Sequence, residues 1–208
     1  MSNLQGCQRC PRLSAYRIEQ KVRFPSYHCL PVAGFGNPDA RLLVIGLAPG
    51  LHGANATGRP FTGDASGDLL FATLHKYGFA SSSTSHLSSD NMQLIDCRIT
   101  NAVKCVLPAN RPTTSEINHC KPFLHDEISM MMPGSVLLAL GTIAHRATLK
   151  ALDLTQAQYR FYQRAEYELP NGLKLIDSFH PSRYNQNTGK ITPKIFGNVF
   201  DRIRLILQ

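Results

Sequence analysis

The sequence lacks the long apolar run that a membrane-spanning helix requires. Such a helix needs roughly 20 consecutive apolar residues, and no stretch of this 208-residue chain approaches that length. The first residues, MSNLQGCQRCPRL, also lack the apolar core of a secretory signal peptide. We therefore expect a cytoplasmic protein that makes no membrane contact.

Acidic residues are scarce. The chain has 14 Asp and Glu against 22 Lys and Arg, a formal net charge of +8. This excess of positive charge favours a polyanionic partner without identifying it. Gly and Pro, at 15 and 13 residues, are near their average usage, which excludes collagen-like and low-complexity architectures. The length predicts a single domain, residues 1–208, which we expect to be a monomer.

Short β-branched apolar runs alternate with helical patterns along the chain. The runs predict strands within 41–46, 94–105, 135–141 and 173–180, and the periodic segments predict helices at 68–77, 113–132, 142–152 and 192–207. Thr113 and Glu116 form a capping box, and Thr142 is the expected N-cap of the next helix. The pattern predicts an α/β three-layer sandwich with a central four-stranded parallel sheet flanked by helices. The proline-containing segment 1–40 is predicted to be irregular.

Two familiar nucleotide-binding motifs are missing. The stretch GLAPGLHGANATGRPFTGDASG, residues 46–67, is neither a Walker loop nor a Gly-x-Gly-x-x-Gly fingerprint. Its six glycines nevertheless permit close approach of the backbone to a ligand. Phe61 offers a face for stacking on a base, and Asp64 offers a carboxylate that orients water. The alternatives are a core position for Phe61 and a helix N-cap for Asp64.

Six cysteines stand at positions 7, 10, 29, 97, 105 and 120. Structural disulfides are not expected in a reducing cytosol. Cys7 and Cys10 form a C-x-x-C pair, and Cys105 with Cys120 supplies a more widely spaced second pair. Four thiolates suit either tetrahedral zinc or an iron-sulfur cluster, with burial in the core as the alternative for the second pair. Burial is the expectation for the two remaining cysteines.

The motifs together resemble a known family. The order GLAPG, GRPFTGD, TNAVKC and HPS, with the four cysteines, resembles the iron-sulfur uracil-DNA glycosylases of the uracil-DNA glycosylase superfamily, from Cys7 to the last helix. Leu47 stands where family 4 enzymes carry Glu. Together with the Asp of GRPFTGDASG and the stretch HPSRYNQNTGKIT, this resembles family 5, also called type B.

The resemblance implies a DNA repair glycosylase. Such an enzyme removes uracil from DNA by hydrolysing the N-glycosidic bond without cutting the strand, in base excision repair, with hypoxanthine and xanthine as candidate further substrates. The target base is flipped out of the stack. The resemblance also implies a four-iron four-sulfur cluster with a structural role, and its ligands are Cys7, Cys10, Cys105 and Cys120.

The resemblance further assigns the pocket. Phe61 stacks on the base and Asn101 reads its edge, because an amide presents a donor and an acceptor in one plane. The backbone around the base is expected to come from Gly46, Leu47, Ala48 and Gly50.

The catalytic groups follow from the same resemblance. His180 donates to the negative charge that develops on the leaving base. Asp64 steers the water, because Leu47 cannot activate it. Asn110 matches a polar position linked to catalysis in the family, and a plain turn residue is an equally weighted alternative.

Several cations lie in or beside these loops. Arg59, Arg183 and Lys190 are candidates for contacts with DNA phosphates, with a solvated surface as the alternative. Lys104 and Arg111 also fall near the strand ends. A competing function is a non-catalytic nucleic-acid-binding module in which an iron-sulfur cluster or zinc only staples the fold.

Overall fold

The computed structural model describes residues 4–208, and a mixed β-sheet lies at their centre. This part of the chain forms six strands: β1 (Phe35–Gly36), β2 (Leu42–Gly46), β3 (Cys97–Asn101), β4 (Val136–Leu140), β5 (Glu166–Glu168) and β6 (Lys174–Ser178). Their order in the sheet is β1-β3-β2-β4-β6-β5. The four longer strands are parallel, which confirms the predicted central sheet.

The two edge strands were not predicted. β1 pairs antiparallel with β3, and β5 pairs antiparallel with β6. They are two and three residues long, too short for an alternating pattern to distinguish them from loops. The central strands, in contrast, read as continuous apolar runs because both of their faces are covered, and every residue of β2 and β4 is buried.

Helices cover both faces of the sheet. Their bounds are α1 (Pro11–Arg23), α2 (Ala54–Thr57), α3 (Ala65–Lys76), α4 (Thr114–Ser129), α5 (Thr142–Ala151), α6 (Arg183–Asn187) and α7 (Pro193–Ile206). Apolar residues of α3 and α7 pack on one face, and those of α4 and α5 on the other. The three-layer arrangement is therefore confirmed. None of the helices within residues 4–208 has the length and apolar character needed to cross a membrane.

The caps and bounds of the elements confirm some predictions about local structure and correct others. The capping box of Thr113 and Glu116 is present, and Thr192 caps α7. The predicted N-cap Thr142 is wrong, because Gly141 holds that position with φ of 95° and Thr142 is the first helical residue. The second strand is shorter than predicted and ends at Asn101.

The sequence predicts an irregular segment 1–40, and this prediction is wrong for part of it. Its residues 11–23 form α1, in which Pro11 occupies the first turn, the one helical position where proline fits without cost. The Arg12 guanidinium bonds both carboxylate oxygens of Glu116 at 2.8 Å, which fastens α1 to α4. This helix thus brings the C-x-x-C pair at its start towards α4.

A buried ion pair joins the segment after β3 to α4. Lys104 is only 1% exposed, and its Nζ lies 2.5 Å from Glu127 Oε2. Thr100 Oγ1 donates to the same carboxylate at 2.7 Å, and Arg98 donates to Oε1 at 3.1 Å. Lys104 is therefore held inside the protein, and its expected place near a DNA backbone is wrong.

Removing one partner of this pair is expected to destabilise the protein strongly. Glu127→Ala leaves the Lys104 ammonium buried without a counter-charge, which typically costs about 3–5 kcal/mol. The free energy of unfolding measured in urea reports this loss. Lys104→Met combined with Glu127→Leu should recover most of it.

The exposed pair of Glu168 and Lys174, at 3.7 Å, provides the matched control. Glu168→Ala should change the free energy of unfolding by less than about 1 kcal/mol. If Glu127→Ala also cost less than about 1 kcal/mol, this would contradict the role assigned to the buried pair.

Candidate active site

A cavity of about 380 Å³ opens where the loops after β2, β3 and β6 meet. Open α/β sheets bind ligands at this position, beyond the carboxyl ends of their parallel strands. Seven of the nine residues that line the cavity were singled out from the sequence, and Ser66 and Ser182 were not. The nine are Leu47, Ala48, Gly50, Phe61, Asp64, Ser66, Asn110, His180 and Ser182.

Gly46 makes room for two neighbouring side chains. It is the last residue of β2 and lies opposite Asn101, the last residue of β3. A Cβ at Gly46 would stand 2.5 Å from Asn101 Oδ1 and 2.7 Å from the Phe61 ring. Both contacts are too short for a real Cβ, so the absent side chain allows the amide and the aromatic ring to approach the same point. Asn101 is itself buried, at 2% exposure.

Phe61 is held in an uncommon backbone conformation. Its φ of 58° lies in the left-handed region, which bulky residues adopt rarely and chiefly at functional sites. A side chain on Gly67 would clash with the Phe61 carbonyl oxygen, so the first turn of α3 packs directly against this backbone. The Phe61 ring faces the His180 imidazole, with centroids 5.7 Å apart and planes at 25°.

Asp64 combines the two roles that the sequence left open. Its Oδ1 accepts the N–H groups of Ser66 at 3.0 Å and Gly67 at 3.1 Å, which makes it the N-cap of α3. Its Oδ2 faces the glycine-rich loop, since a Cβ at Gly53 would lie 2.5 Å from it. Burial raises the pKa of Asp64, although the two backbone donors oppose this shift. One oxygen therefore caps the helix while the other remains on the cavity side.

His180 follows β6, and its backbone is held by its own loop. Burial lowers the pKa of His180 to about 4. The imidazole is therefore neutral at physiological pH and presents one N–H donor and one acceptor nitrogen. Asn185 Nδ2 donates to the His180 carbonyl oxygen at 2.8 Å, which fixes the backbone at this point.

A side-chain amide connects the loops of Asp64 and His180. Gln186 Nε2 donates to the Pro181 carbonyl at 2.7 Å and to the Ala65 carbonyl at 3.3 Å. Sequence reasoning missed both Asn185 and Gln186. The only available signal was the density of amide residues in HPSRYNQN, which does not reveal the carbonyl groups they reach.

Asn110 lies at the rim of the cavity. It ends a short 3₁₀ turn, residues 108–110, and has φ of 55°, a conformation that Asn tolerates better than most residues. Its side chain is exposed and lines the opening. The turn role and a position at the site are therefore compatible.

Three of the four predicted ligand cysteines pack together beside the pocket. Cys10, Cys105 and Cys120 share one buried cluster with Leu13, Val103 and Leu107. Burial, aided by negative charge on neighbouring cysteines including Cys7, raises the pKa of Cys10 to about 11. All six cysteines are free thiols, and the two predicted core cysteines are indeed buried. Within residues 4–208, no three Cys, His, Asp or Glu side chains converge closely enough to bind a single metal ion.

The cysteine cluster, formed around Cys10, Cys105 and Cys120, shares a wall with the pocket. Leu47 and Ala48 line the cavity and also pack against the cysteine cluster. Val103 N–H donates to the Leu47 carbonyl at 2.9 Å, which ties the loop after β2 to the segment that leads to Cys105.

The candidate phosphate contacts divide into one buried and two exposed cations. Arg59 is 8% exposed and forms an ion pair with Asp90, and its guanidinium also stacks on Phe35 at 4.4 Å. The expectation that Arg59 contacts DNA is therefore wrong. Arg183 and Lys190 are exposed in the loop that follows His180.

Comparisons with known proteins agree with this fold and pocket. A family model described as the uracil DNA glycosylase superfamily matches residues 33–204. A type-5 uracil-DNA glycosylase of Thermus thermophilus is 42% identical over 201 residues, covering 94% of this chain and 91% of that protein. One from Pyrobaculum aerophilum is 40% identical over 206 residues, covering 97% and 89%. A type-4 enzyme of Archaeoglobus fulgidus is 30% identical over 155 residues, covering 73% and 70%. The chain therefore belongs to the uracil-DNA glycosylase superfamily and, within it, to the type-5 family.

His180 is expected to stay neutral down to about pH 4. An ordinary histidine has a pKa near 6.5, but burial disfavours the imidazolium in the folded protein. The unfolded chain thus binds the proton first, and this group reduces stability as the pH falls from about 6.5 towards 4.

Nitrogen-15 shifts of the histidine rings, recorded against pH and assigned with a His180→Gln variant, measure the titration directly. A midpoint near 6.5 for His180 would contradict this expectation.

Proposed function

We propose that this protein is a DNA glycosylase that removes uracil from DNA in base excision repair. The observation that carries the proposal is the convergence of Phe61, Asp64 and His180 on one cavity at the carboxyl edge of the sheet. Membership of a family whose relatives are named uracil-DNA glycosylases supports the same reaction. In this proposal the protein is a monomer that acts as one catalytic domain, residues 1–208, in the cytoplasm.

The substrate base enters the cavity after it is flipped out of the DNA stack, because the glycosidic carbon is otherwise inaccessible. The base stacks on Phe61, a contact typically worth about 1–3 kcal/mol. The Asn101 amide pairs with the imide edge of uracil through one donor and one acceptor. The backbone of Gly46, Leu47, Ala48 and Gly50 borders the base.

The reaction is a hydrolysis. The bond between the anomeric carbon and the base nitrogen breaks, and its electron pair leaves with the base. Neutral His180 donates a hydrogen bond to the base oxygen where negative charge develops, so it stabilises the transition state more than the substrate. The water oxygen bonds to the anomeric carbon, and its proton passes by way of Asp64 to the departing base. The products are the free base and an abasic site.

Asp64 suits the role of orienting water. Its Oδ2 lies on the cavity side, and the raised pKa of this carboxyl brings it closer to the range in which a base accepts a proton efficiently. Asn110, at the rim, supplies a second polar group to the same water or to the adjoining sugar. None of the nine lining residues is a lysine, which argues against a Schiff base and hence against strand cleavage.

The pocket admits larger bases in this proposal. Leu47 places an uncharged side chain beside the base, and a cavity of about 380 Å³ leaves room for a purine. Hypoxanthine and xanthine are therefore proposed as further substrates. Product analysis on oligonucleotides that carry uracil, hypoxanthine or xanthine separates a permissive pocket from a uracil-specific one.

Cys7, Cys10, Cys105 and Cys120 are proposed to hold a four-iron four-sulfur cluster. The donor set fits, because four unpaired thiols gather at the start of α1, after β3 and in α4. A single zinc ion fits less well, because no three of these sulfurs converge on one point within the described chain. When bound, the cluster supplies iron–thiolate bonds that cross-link these three segments. Leu47 and Ala48 place the pocket wall against the same cross-link.

Arg183 and Lys190 are proposed to contact phosphates of the bound DNA. Both are exposed and follow His180 in the chain. Each phosphate contact that releases a counterion steepens the dependence of affinity on salt.

Asp64→Asn should lower the rate of uracil excision by about 10²- to 10⁴-fold, the usual contribution of a positioned proton acceptor. Asn is as good an N-cap as Asp, so α3 and DNA binding should be preserved. Single-turnover kinetics on uracil-containing DNA measure the effect, with binding measured separately.

The matched control is Asp68→Asn, which removes an exposed carboxylate one helical turn further along α3. Full excision by Asp64→Asn would contradict the assigned role. If the protein were instead a nucleic-acid-binding module without activity, every variant would bind DNA and even the wild-type protein would excise no uracil.

Protein purified without oxygen should contain about four irons per chain and absorb visible light broadly, as Cys₄-ligated clusters do. Cys105→Ser should lose iron and absorbance. Cys29→Ser, at a buried cysteine outside the cluster, should retain both. Colourless protein with stoichiometric zinc would contradict the iron-sulfur assignment without affecting the proposed reaction.

A further inference from the structure

A second, wider cavity lies next to the pocket. Its volume is about 590 Å³, and it runs between the turn at 26–28, the glycine-rich loop and the serine-rich segment 86–89. We call it the flanking cleft. His52 and Gly63 line the flanking cleft, whereas Gly50 and Asp64 line the pocket. The two cavities are therefore separated by a single stretch of glycine-rich backbone.

Aromatic rings form one side of the flanking cleft, and their planes are fixed. Tyr27 stacks on Phe24 with centroids 4.7 Å apart and planes at 13°. His52 meets both rings edge-on, at 5.4 and 6.0 Å, and its Nδ1 lies 2.9 Å from the Tyr27 hydroxyl. A preorganised ring of this kind costs little conformational entropy when a flat ligand stacks on it.

The remaining lining is largely polar and carries no acidic group, and two cations stand beside it. Serine hydroxyls at 26, 88 and 89 and the exposed His86 border the opening, and none of the lining residues carries a carboxylate. Lys21 donates to the Tyr27 carbonyl, and the Arg23 guanidinium stands 5.3 Å from the Phe24 ring centroid. Asp90, the nearest acidic residue in the chain to segment 86–89, is neutralised by Arg59.

This combination matches a nucleotide unit. Sites for single-stranded nucleic acid combine aromatic faces, on which bases stack, with positive charge that follows the backbone. An acidic peptide would use the charge but not the fixed ring plane.

We propose that the flanking cleft binds an unstacked nucleotide of the DNA strand whose damaged base occupies the pocket, with the base of that nucleotide against Tyr27. The inference rests on the proposed function, because the pocket fixes where the strand lies. A strand that leaves the pocket across the glycine-rich backbone brings a neighbouring nucleotide to the cleft. The enzyme then prefers single-stranded or bulged DNA next to the lesion over a fully paired duplex.

The test uses single-stranded oligonucleotides with one uracil and a fluorescent 2-aminopurine at successive positions on either side. Binding is measured with the full-length Asp64→Asn protein, in which excision is slow enough for the complex to be observed before the base is released. The signal should change most at one position beside the uracil, and Tyr27→Leu in the same background should remove that change. Tyr27→Phe retains the ring and should preserve it.

Affinity gives a second readout. Tyr27→Leu should weaken binding by about 5- to 100-fold, the usual effect of losing one stacked base. The loss should disappear for an oligonucleotide that is truncated at the uracil and therefore lacks the nucleotide at the responsive position. With Asp64 restored, Tyr27→Leu should raise the DNA concentration that gives half-maximal excision by a similar factor. Tyr162→Leu, which removes an exposed tyrosine outside the cleft, is the matched control.

Either of two results would overturn the proposal. One is a Tyr27→Leu effect that is the same for long and truncated oligonucleotides. The other is the absence of any Tyr27→Leu effect on fluorescence and on affinity. Failure of the proposed function looks different, because the wild-type protein would then release no uracil from any of these substrates.

Discussion

The close approach of β2 and β3 at their carboxyl ends is the constraint on which the pocket depends. Gly46 lies opposite Asn101 in register, and only a residue without a Cβ fits between the Asn101 amide and the Phe61 ring. Immediately afterwards, Ala102 N–H donates to the Gly46 carbonyl at 2.9 Å, which continues the contact between the two segments beyond the strands. The end of β3 thus delivers a hydrogen-bonding group, and the loop between β2 and α3 delivers an aromatic face, to the same place. The remaining groups are brought to them by loops.

Those loops are held by polar contacts rather than by apolar packing alone. Gln186 joins the backbone after His180 to the backbone after Asp64, and Asp64 itself caps α3. On the opposite side, Leu47 and Ala48 rest against the cysteine cluster. In the proposed reaction, the placement of the loops around the base therefore depends on one side-chain amide and on a wall that packs against the cysteines.

The parts of the structure that were predictable are those in which local pattern and tertiary environment agree. The central strands are buried on both faces and read as apolar runs, and the capping box at Thr113 is a purely local interaction. Seven pocket residues followed from motifs. Edge strands of two and three residues carry no periodic signal, and α1 was hidden by a proline that is harmless at its first turn. Arg59 and Lys104 were misplaced because their acidic partners, Asp90 and Glu127, are distant in sequence.

The burial of those two cations also changes what the net charge means. A formal charge of +8 counts Arg59 and Lys104, yet both are compensated inside the protein and give little field at the surface. The attraction for a polyanion must come from cations that remain exposed, such as Arg183 and Lys190 beside the pocket and Arg23 beside the flanking cleft. These lie on either side of the glycine-rich loop in the proposed DNA path. Positive charge on both sides of this loop allows the backbone of a strand to be held while the base between the two contacts is drawn into the pocket.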